Sequence, residues 1–162
     1  MVSIVRTLVA GTARGRCFRD ARGRFAGARQ AVILRIVEPG ALTPSEALTA
    51  VFSTWERGDA DAMADLFAED GVLEDPLKAG TITGREQIRE QNRPAVAALE
   101  DCRITIRHLF EQGDLGYCEG FFAARLVESG GRLDFPFAAT IEMRDGRIAR
   151  LAEFFDTRPL VP

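Results

Sequence analysis

The hydrophobic pattern of the chain changes its period near Cys102, and this change limits the folds available to it. Between about Thr43 and Cys102, apolar residues recur every three or four positions, as they do on one face of an α-helix. Beyond Cys102, apolar and polar residues alternate over four runs that are separated by short turns containing glycine. Turns of this length join antiparallel neighbours. Helices followed by such a meander predict an α+β fold, with the helices packed on one face of a curved, largely antiparallel sheet.

Two capping boxes indicate where helices begin. At Thr43–Glu46 and again at Thr83–Glu86, a threonine is followed three residues later by a glutamate, and the first box has proline at the first helical position. In such a box each side chain accepts a hydrogen bond from a backbone amide that would otherwise lack a partner. The first predicted helix ends at Gly58, the second extends to Phe67, and the third must kink or end at Pro94.

Charge divides the 162-residue chain into two parts. Residues 1–40 hold eight arginines against two acidic residues, whereas residues 41–162 hold 13 basic and 22 acidic side chains, so the net charges are +6 and −9. We predict a basic, glycine-rich N-terminal extension, residues 1–40, and one domain, residues 41–162. The extension is interpreted as an arm for nucleic acid or an anionic surface, as a solvated tail, or as upstream sequence joined through a misassigned start.

Composition limits what the domain does. No apolar run approaches the roughly 18 residues of a membrane-spanning helix, and an acidic domain does not predict nucleic-acid binding. The three cysteines are an odd number without C-x-x-C spacing, and His108 is the only histidine. These features predict a cytoplasmic protein with reduced thiols, without a structural metal, without a cofactor and without membrane contact.

Asp75 is the first candidate for chemistry. It follows the strand-like run Val72–Glu74 and precedes Pro76, which lacks a backbone donor and interrupts regular strand pairing. Alternation places Asp75 on the same side as Leu73, so its carboxylate would lie beside an apolar neighbour. A carboxylate that loses hydration is a better proton acceptor near neutral pH, which predicts a general base. The alternative interpretation is that Asp-Pro only starts a turn.

Several motifs follow one another in a recognisable order: a helix, Gly58-Asp59, a second helix, FAEDGVLEDP, TGREQI, DGRI and an aromatic last strand. In this order of motifs, over about residues 44–157, the chain resembles the SnoaL-like and ketosteroid-isomerase-like branch of the NTF2-like superfamily. The resemblance implies a cone-shaped sheet, of the cystatin-like α+β barrel type, around the N-terminal helices. It also implies an apolar pocket for a hydrophobic small molecule, commonly a homodimer, and a general base at the position of Asp75.

The residues that bind the oxyanion in ketosteroid isomerase are not matched here. That enzyme uses a tyrosine of the first helix and a protonated aspartic acid. The corresponding positions are Val51 or Phe52, and Ala139 or Ala138, and none of these side chains donates a hydrogen bond. Steroid isomerisation by that mechanism is therefore not expected.

The limonene-epoxide-hydrolase branch gives a second comparison, because its ending resembles GRIARLAEFFD. Its catalytic arginine and aspartate would fall near Phe121 and Ala123, and its last-strand aspartate would fall at Glu153. Only Glu153 keeps an acidic side chain. Since Glu153 shares a strand face with Leu151 and Phe155, it is a second acid if that face lines the pocket, and a charge at a wet rim if it does not.

Two further residues are candidates to assist Asp75 and Glu153. His108 is predicted to share a strand face with Ile104. Its predicted role is that of a general acid or base, and the alternative is a hydrogen-bonded histidine in the core or at an interface. Tyr117 donates to an oxyanion, or else packs with a wet hydroxyl. The predicted substrate-binding residues are Phe52, Trp55, Phe67, Leu73, Glu119, Phe121, Phe137, Ala139 and Phe155.

The sequence thus predicts a small enzyme in which Asp75 removes a proton from a hydrophobic molecule, as in isomerases and cyclases of the family it resembles. Two alternatives stay open. One is water activation of the epoxide-hydrolase type, and the other is a module that binds a small molecule or dimerises without catalysis.

Overall fold

The computed structural model describes residues 41–78 and 80–158, so the predicted N-terminal extension, residues 1–40, lies outside the described residues. The described residues form three helices and six strands. In chain order these are α1 (Pro44–Arg57), α2 (Ala60–Asp65), β1 (Phe67–Glu74), β2 (Thr81–Thr83), α3 (Arg85–Ala97), β3 (Leu99–Gln112), β4 (Leu115–Leu126), β5 (Arg132–Arg144) and β6 (Arg147–Phe155).

All six strands belong to one sheet with the order β2-β1-β6-β5-β4-β3. Neighbouring strands are antiparallel except β1 and β6, which run parallel. The strands β3 to β6 are the predicted meander, and the predicted α+β fold with a curved mixed sheet is confirmed. The strands β2 and β3 are its two edges, so the sheet is an open layer and not a closed barrel.

The hydrophobic core lies between the helices and one face of the sheet, which we call the inner face. Its largest fully buried side chains come from α1, α2, α3 and four strands, and they are Leu48, Val51, Met63, Phe67, Leu73, Ile88, Cys118, Ile141, Ile148 and Leu151. Burial of an apolar side chain of this size contributes about 1.5–3 kcal/mol. The opposite face of the sheet is called the outer face below.

The first predicted capping box is present and the second is not. The Thr43 hydroxyl oxygen accepts a hydrogen bond from the Glu46 amide at 3.2 Å, and the Glu46 carboxylate accepts one from the Thr43 amide at 2.9 Å. At the start of α3, by contrast, Thr83 belongs to β2 and Gly84 is the N-cap residue without a side-chain hydrogen bond. The predicted box at Thr83 is therefore wrong, because pairing of Thr83 with Val72 of β1 holds it in a strand.

Two predicted boundaries change for a related reason. The second helix was expected to include Phe67, but α2 ends at Asp65, and Phe67 begins β1 because it pairs with Ile148 of β6. Strand β2 likewise takes in Thr83, which was expected to cap the third helix. Strand pairing between distant segments decides both boundaries, and local periodicity does not report it.

A β-bulge at Arg107 reverses the facing of the second half of β3. Ile106 pairs with Gly120, but His108 pairs with Glu119, so two steps along β3 match one step along β4. A bulge adds one residue to a strand and moves all following side chains to the other face. The prediction that His108 shares a face with Ile104 is therefore wrong, since His108 lies on the outer face.

The longest helix within residues 41–78 and 80–158 is α1, with 14 residues. No helix in this part of the chain is long and apolar enough to cross a membrane.

Candidate active site

The inner face carries a cavity of about 720 Å³, a size typical of small-molecule sites. Residues of α1, α3, the sheet and two connecting loops line it. They are Phe52, Trp55, Asp75, Leu77, Lys78, Ala95, Ala98, Leu99, Ile104, Phe122, Leu126, Glu128, Ser129, Leu133, Phe135, Phe137, Glu153 and Phe155.

Aromatic rings form much of the cavity wall. Phe52 of α1 contacts Phe137 of β5 with ring centroids 4.9 Å apart. On the same side of the sheet, the ring centroid of Phe135 lies 5.0 Å from that of Phe122 and 5.1 Å from that of Phe155. These distances lie within the range of favourable ring pairs, so each ring holds its neighbour in place. The resulting wall is preformed and suits a flat apolar ligand.

Asp75 both starts a turn and lines the cavity. It follows the last residue of β1, and its Oδ1 accepts a hydrogen bond from the Leu77 amide at 2.8 Å. The Lys78 amide closes the turn by donating to the Asp75 carbonyl at 2.9 Å. The turn fixes the position of the carboxylate, while Asp75 remains part of the cavity wall. The two interpretations of Asp75 made from the sequence are therefore compatible.

Glu153 lies on the inner face of β6, opposite Ala139 of β5, and lines the same cavity. Burial, followed by the negative charge of Asp75, raises the pKa of Glu153 from 4.5 to about 8. Within the described part of the chain, no group hydrogen-bonds to its carboxyl. Glu153 is therefore mainly a neutral acid at pH 7, free to donate its proton to a ligand.

Cys118 is a fully buried residue of β4 on the inner face, two strands away from Glu153. Cys118 pairs with Ala139, which pairs with Glu153. Burial first, and the charge of Glu153 last, raise the pKa of the Cys118 thiol to about 12. Cys118 is therefore a neutral thiol at ordinary pH and a member of the hydrophobic core.

His108, Tyr117 and Glu119 lie together, but on the outer face. The His108 Nδ1 is 2.6 Å from Glu119 Oε1, and the Tyr117 hydroxyl donates to Glu119 Oε2 at 3.1 Å. Phe121 is on the same face, where the Arg107 guanidinium lies 4.3 Å from its ring centre. None of these four predicted site residues, His108, Tyr117, Glu119 and Phe121, is among those that line the cavity.

The remaining predicted residues divide between wall and core. Phe52, Trp55, Phe137 and Phe155 line the cavity, as their assignment to substrate binding requires. Phe67, Leu73 and Ala139 are instead core residues, with exposed fractions of 0%, 1% and 0%. Their side chains pack in the hydrophobic core and are not in the cavity wall.

Several wall residues were not predicted as site residues. Phe122 and Phe135 are neighbours across β4 and β5, so only the strand register brings their rings together. Lys78 lies three residues after Asp75 and is the only lysine in the sequence, which is a signal that the sequence itself offered. In the described residues, no group of three or more His, Cys, Asp or Glu side chains is arranged to hold a metal ion.

The order of strands, the helices on the inner face and the carboxylate-bearing cavity define an NTF2-like α+β domain. The family model described as the SnoaL-like domain matches residues 48–151. The chain belongs to this SnoaL-like family. No functionally curated protein matches its sequence.

Several solved structures share this fold. A protein of ketosteroid isomerase-like fold from Catenulispora acidiphila DSM 44928, in complex with trimethylamine, is 27% identical, and the match covers 71% of this chain and 88% of that chain with a TM-score of 0.63. The epoxide hydrolase/cyclase-like enzyme SalBIII, which has a role in pyran ring formation in the polyether salinomycin, is 22% identical, with coverages of 68% and 88% and a TM-score of 0.60. A SnoaL-like protein from Jannaschia sp. CCS1, assigned as a polyketide cyclase, is 13% identical, with coverages of 78% and 94% and a TM-score of 0.65.

Proposed function

We propose that the chain catalyses proton transfer on an apolar carbonyl compound, with Asp75 as general base and Glu153 as general acid. The observation that carries this proposal is that both carboxyl groups line one aromatic cavity. Their environments differ, because partial burial and the charge of Asp75 raise the pKa of Glu153 to about 8, whereas Asp75 is held by a turn at the end of β1. Two carboxyl groups in unlike environments divide acid and base work between them.

In the proposed step, the Asp75 carboxylate takes a proton from the carbon next to the substrate carbonyl. The electron pair of the broken C–H bond forms a C=C bond, and the carbonyl oxygen becomes an enolate oxygen that accepts the Glu153 proton or its hydrogen bond. Asp75 then delivers the proton to a different carbon of the conjugated system while Glu153 takes its proton back from the oxygen, and the carbonyl re-forms in the isomerised product. If the enol attacks an electrophilic carbon instead, the product is a ring, as in a cyclase.

Glu153 supplies the hydrogen-bond donor for an oxyanion that the positions of the ketosteroid isomerase donors lack in this chain. Phe52 lines the cavity, and Val51 and Ala139 are fully buried, so the positions of the isomerase donors hold no hydrogen-bond donor here. A neutral Glu153 supplies one from β6. A single preorganised donor of this kind contributes about 10²–10³ in rate in enzymes where it has been removed.

Epoxide opening is the second candidate, because the same pair meets its requirements. A protonated Glu153 would give its proton to the epoxide oxygen as the C–O bond breaks, while Asp75 takes a proton from the water that attacks the carbon. The two reactions are distinguished by isotopes. Hydrolysis places oxygen from H₂¹⁸O in the product, whereas proton abstraction places solvent deuterium on carbon.

Deuterium exchange tests the proposal without knowledge of the natural substrate. The probe is 2-tetralone in D₂O, and loss of its α-proton signals is followed by NMR with the full chain. We expect exchange above the buffer rate, a decrease of about 10² or more in Asp75→Asn, and a smaller decrease in Glu153→Gln. The control is Glu90→Gln, an exposed residue of α3 outside the cavity, with an unchanged rate.

Two results would overturn this function. If Asp75→Asn exchanges the probe as fast as the wild type, Asp75 is not the base. If 2-tetralone binds in the cavity without any exchange above buffer, the cavity binds such ligands without acting on them, and the non-catalytic alternative replaces the enzyme.

We also propose that the outer face of the sheet joins two copies of the chain. Phe110 and Phe154 on this face are 62% and 54% exposed. The Phe110 ring lies 6.4 Å from that of Tyr117, so the exposed aromatic surface is continuous between β3 and β4. Exposed aromatic surface of this kind is typical of interfaces.

A further inference from the structure

Lys78 is the only lysine of the chain, and the other 20 basic residues are arginines. It lines the cavity together with Leu77, Glu128 and Ser129, three exposed residues that mark the cavity mouth. An ammonium group is a compact charge with three rotatable donors, whereas a guanidinium is a larger planar fork. The chain therefore places its one point-like cation in the wall of the candidate active site.

The Lys78 ammonium is held in place but not neutralised. Its Nζ donates to the backbone carbonyl of Gln91 in α3 at 3.1 Å. Among the residues that the structure describes, no carboxylate forms an ion pair with it, although Asp75 and Glu128 line the same cavity. Since an ammonium has three N–H donors, two remain for a ligand at the mouth.

One turn presents both Asp75 and Lys78 to the cavity. The Lys78 amide donates to the Asp75 carbonyl at 2.9 Å, which closes a four-residue turn between them. The Cα atoms of the first and last residues of such a turn lie within about 7 Å of each other. Because both residues also line the cavity, one ligand bound there is able to contact Asp75 and Lys78 together.

We propose that Lys78 selects ligands in which an aromatic body carries an anionic oxygen, a carboxylate or a phenolate. The aromatic wall, which includes Phe122, Phe135 and Phe137, takes the body, and Lys78 binds the oxygen at the mouth. The inference deepens the proposed function, on which it rests for its use of the same cavity. The inference concerns the charge of the ligand, since a ligand bearing an ammonium group would instead be attracted to the carboxylates of Asp75 and Glu128.

Three probes of nearly equal shape test the sign of this preference: 2-naphthoate, 2-naphthalenemethanol and 2-naphthylmethylammonium. Their dissociation constants are measured by calorimetry at pH 7 with the full chain. We expect 2-naphthoate to bind about tenfold more tightly than the alcohol, because a partly desolvated charge pair contributes on this scale, and the ammonium probe to bind most weakly. In Lys78→Met the preference for 2-naphthoate disappears while the affinity for the alcohol is unchanged.

Two further variants separate ligand binding from a structural role of Lys78. Lys78→Arg keeps the charge and retains most of the preference, whereas Arg103→Met removes an exposed cation outside the cavity and leaves all three affinities unchanged. Equal binding of 2-naphthoate and the alcohol would overturn the role of Lys78 and leave the proton-transfer function untouched. Tighter binding of the ammonium probe would mean that the cavity prefers cationic ligands, and it would overturn the proposal. Failure of all three probes to bind would overturn the inference and also the premise that the cavity accepts aromatic ligands.

Discussion

Arg150 of β6 binds Glu74 of β1 through two parallel hydrogen bonds, from Nε to Oε1 at 2.8 Å and from Nη2 to Oε2 at 2.7 Å. Glu74 immediately precedes Asp75, and Arg150 lies three residues before Glu153. Strands β1 and β6 are the one parallel pair in the described sheet. The pair on the outer face therefore fixes the register of the two strands that present both carboxyl groups to the cavity.

Replacement of Arg150 by methionine is expected to lower the free energy of unfolding by about 1 kcal/mol. The effect is small because the Arg150 and Glu74 side chains are 35% and 40% exposed, and water screens the pair. Urea denaturation at pH 7 measures the difference. The control is Arg158→Met, which removes an exposed pair with Asp156 and should change stability little.

The same variant gives a pH test. The hydrogen bonds from Arg150 hold the pKa of Glu74 below its usual value of 4.5. A carboxylate with a lowered pKa stabilises the fold above its unfolded pKa, and this contribution is lost as pH falls through the folded pKa. The stability difference between wild type and Arg150→Met should therefore be complete above pH 4.5 and decrease below it. A difference that stays constant into acid would contradict the assignment to Glu74.

Glu153 should make the fold less stable at alkaline pH. Burial raises its pKa from 4.5 to about 8, so the folded state binds the proton more tightly than the unfolded chain between these values. Stability contributed in this way is complete below pH 4.5 and is lost as pH rises to about 8. We expect Glu153→Gln, which cannot ionise, to lose roughly 4 kcal/mol less than the wild type between pH 5 and pH 9.

Urea denaturation of both proteins at pH 5 and pH 9 measures this difference, because titration of the other groups cancels in the comparison. Glu90→Gln, on the exposed surface of α3, is the matched control and should follow the wild type at both pH values. Equal losses in the wild type and Glu153→Gln would mean that Glu153 is ionised at low cost, which would remove its role as an acid.

Local sequence predicts the elements of this fold better than the faces they present. The alternation of β4, β5 and β6 identified those strands and placed Glu153 on the face of Phe155. The bulge at Arg107 has no local signature in the sequence, so the facing of His108 was predicted incorrectly. Thr83 had the right spacing for a capping box, but its pairing with β1 took precedence.

The candidate active site was likewise predicted only in part from local sequence. Asp75 could be identified as a candidate because a strand end followed by proline is a local pattern. The cavity wall depends on contacts across strands, such as Phe122 with Phe135, which no single segment encodes. The raised pKa of Glu153 depends on burial by distant segments and on the charge of Asp75. Local patterns therefore predict candidate residues, but only the assembled fold decides which of them share a cavity.

Phe110 provides a test of the proposed pairing of two copies. Replacement by aspartate puts a charge at a ring that is 62% exposed, so the monomer should fold as before while an apolar interface would be lost. Light scattering after size-exclusion chromatography should show a dimer for the wild type and a monomer for Phe110→Asp. The control is Leu77→Asp, at an exposed residue of the cavity mouth, which should leave the dimer intact. A monomeric wild type would refute the pairing.

The rate of proton transfer should report the protonation of Glu153 directly. Its pKa is about 8 because of burial and the charge of Asp75, so the neutral acid that the proposed reaction needs is present at pH 7 and lost above pH 8. We expect kcat/KM for exchange of 2-tetralone to fall by about tenfold per pH unit above this value, since one ionisation removes the donor. Glu153→Gln keeps a weaker donor without a titrating proton, so its lower rate should show no decrease between pH 7 and pH 9. A wild-type profile that is flat across this range, or a decrease that persists unchanged in Glu153→Gln, would assign the acid to another group.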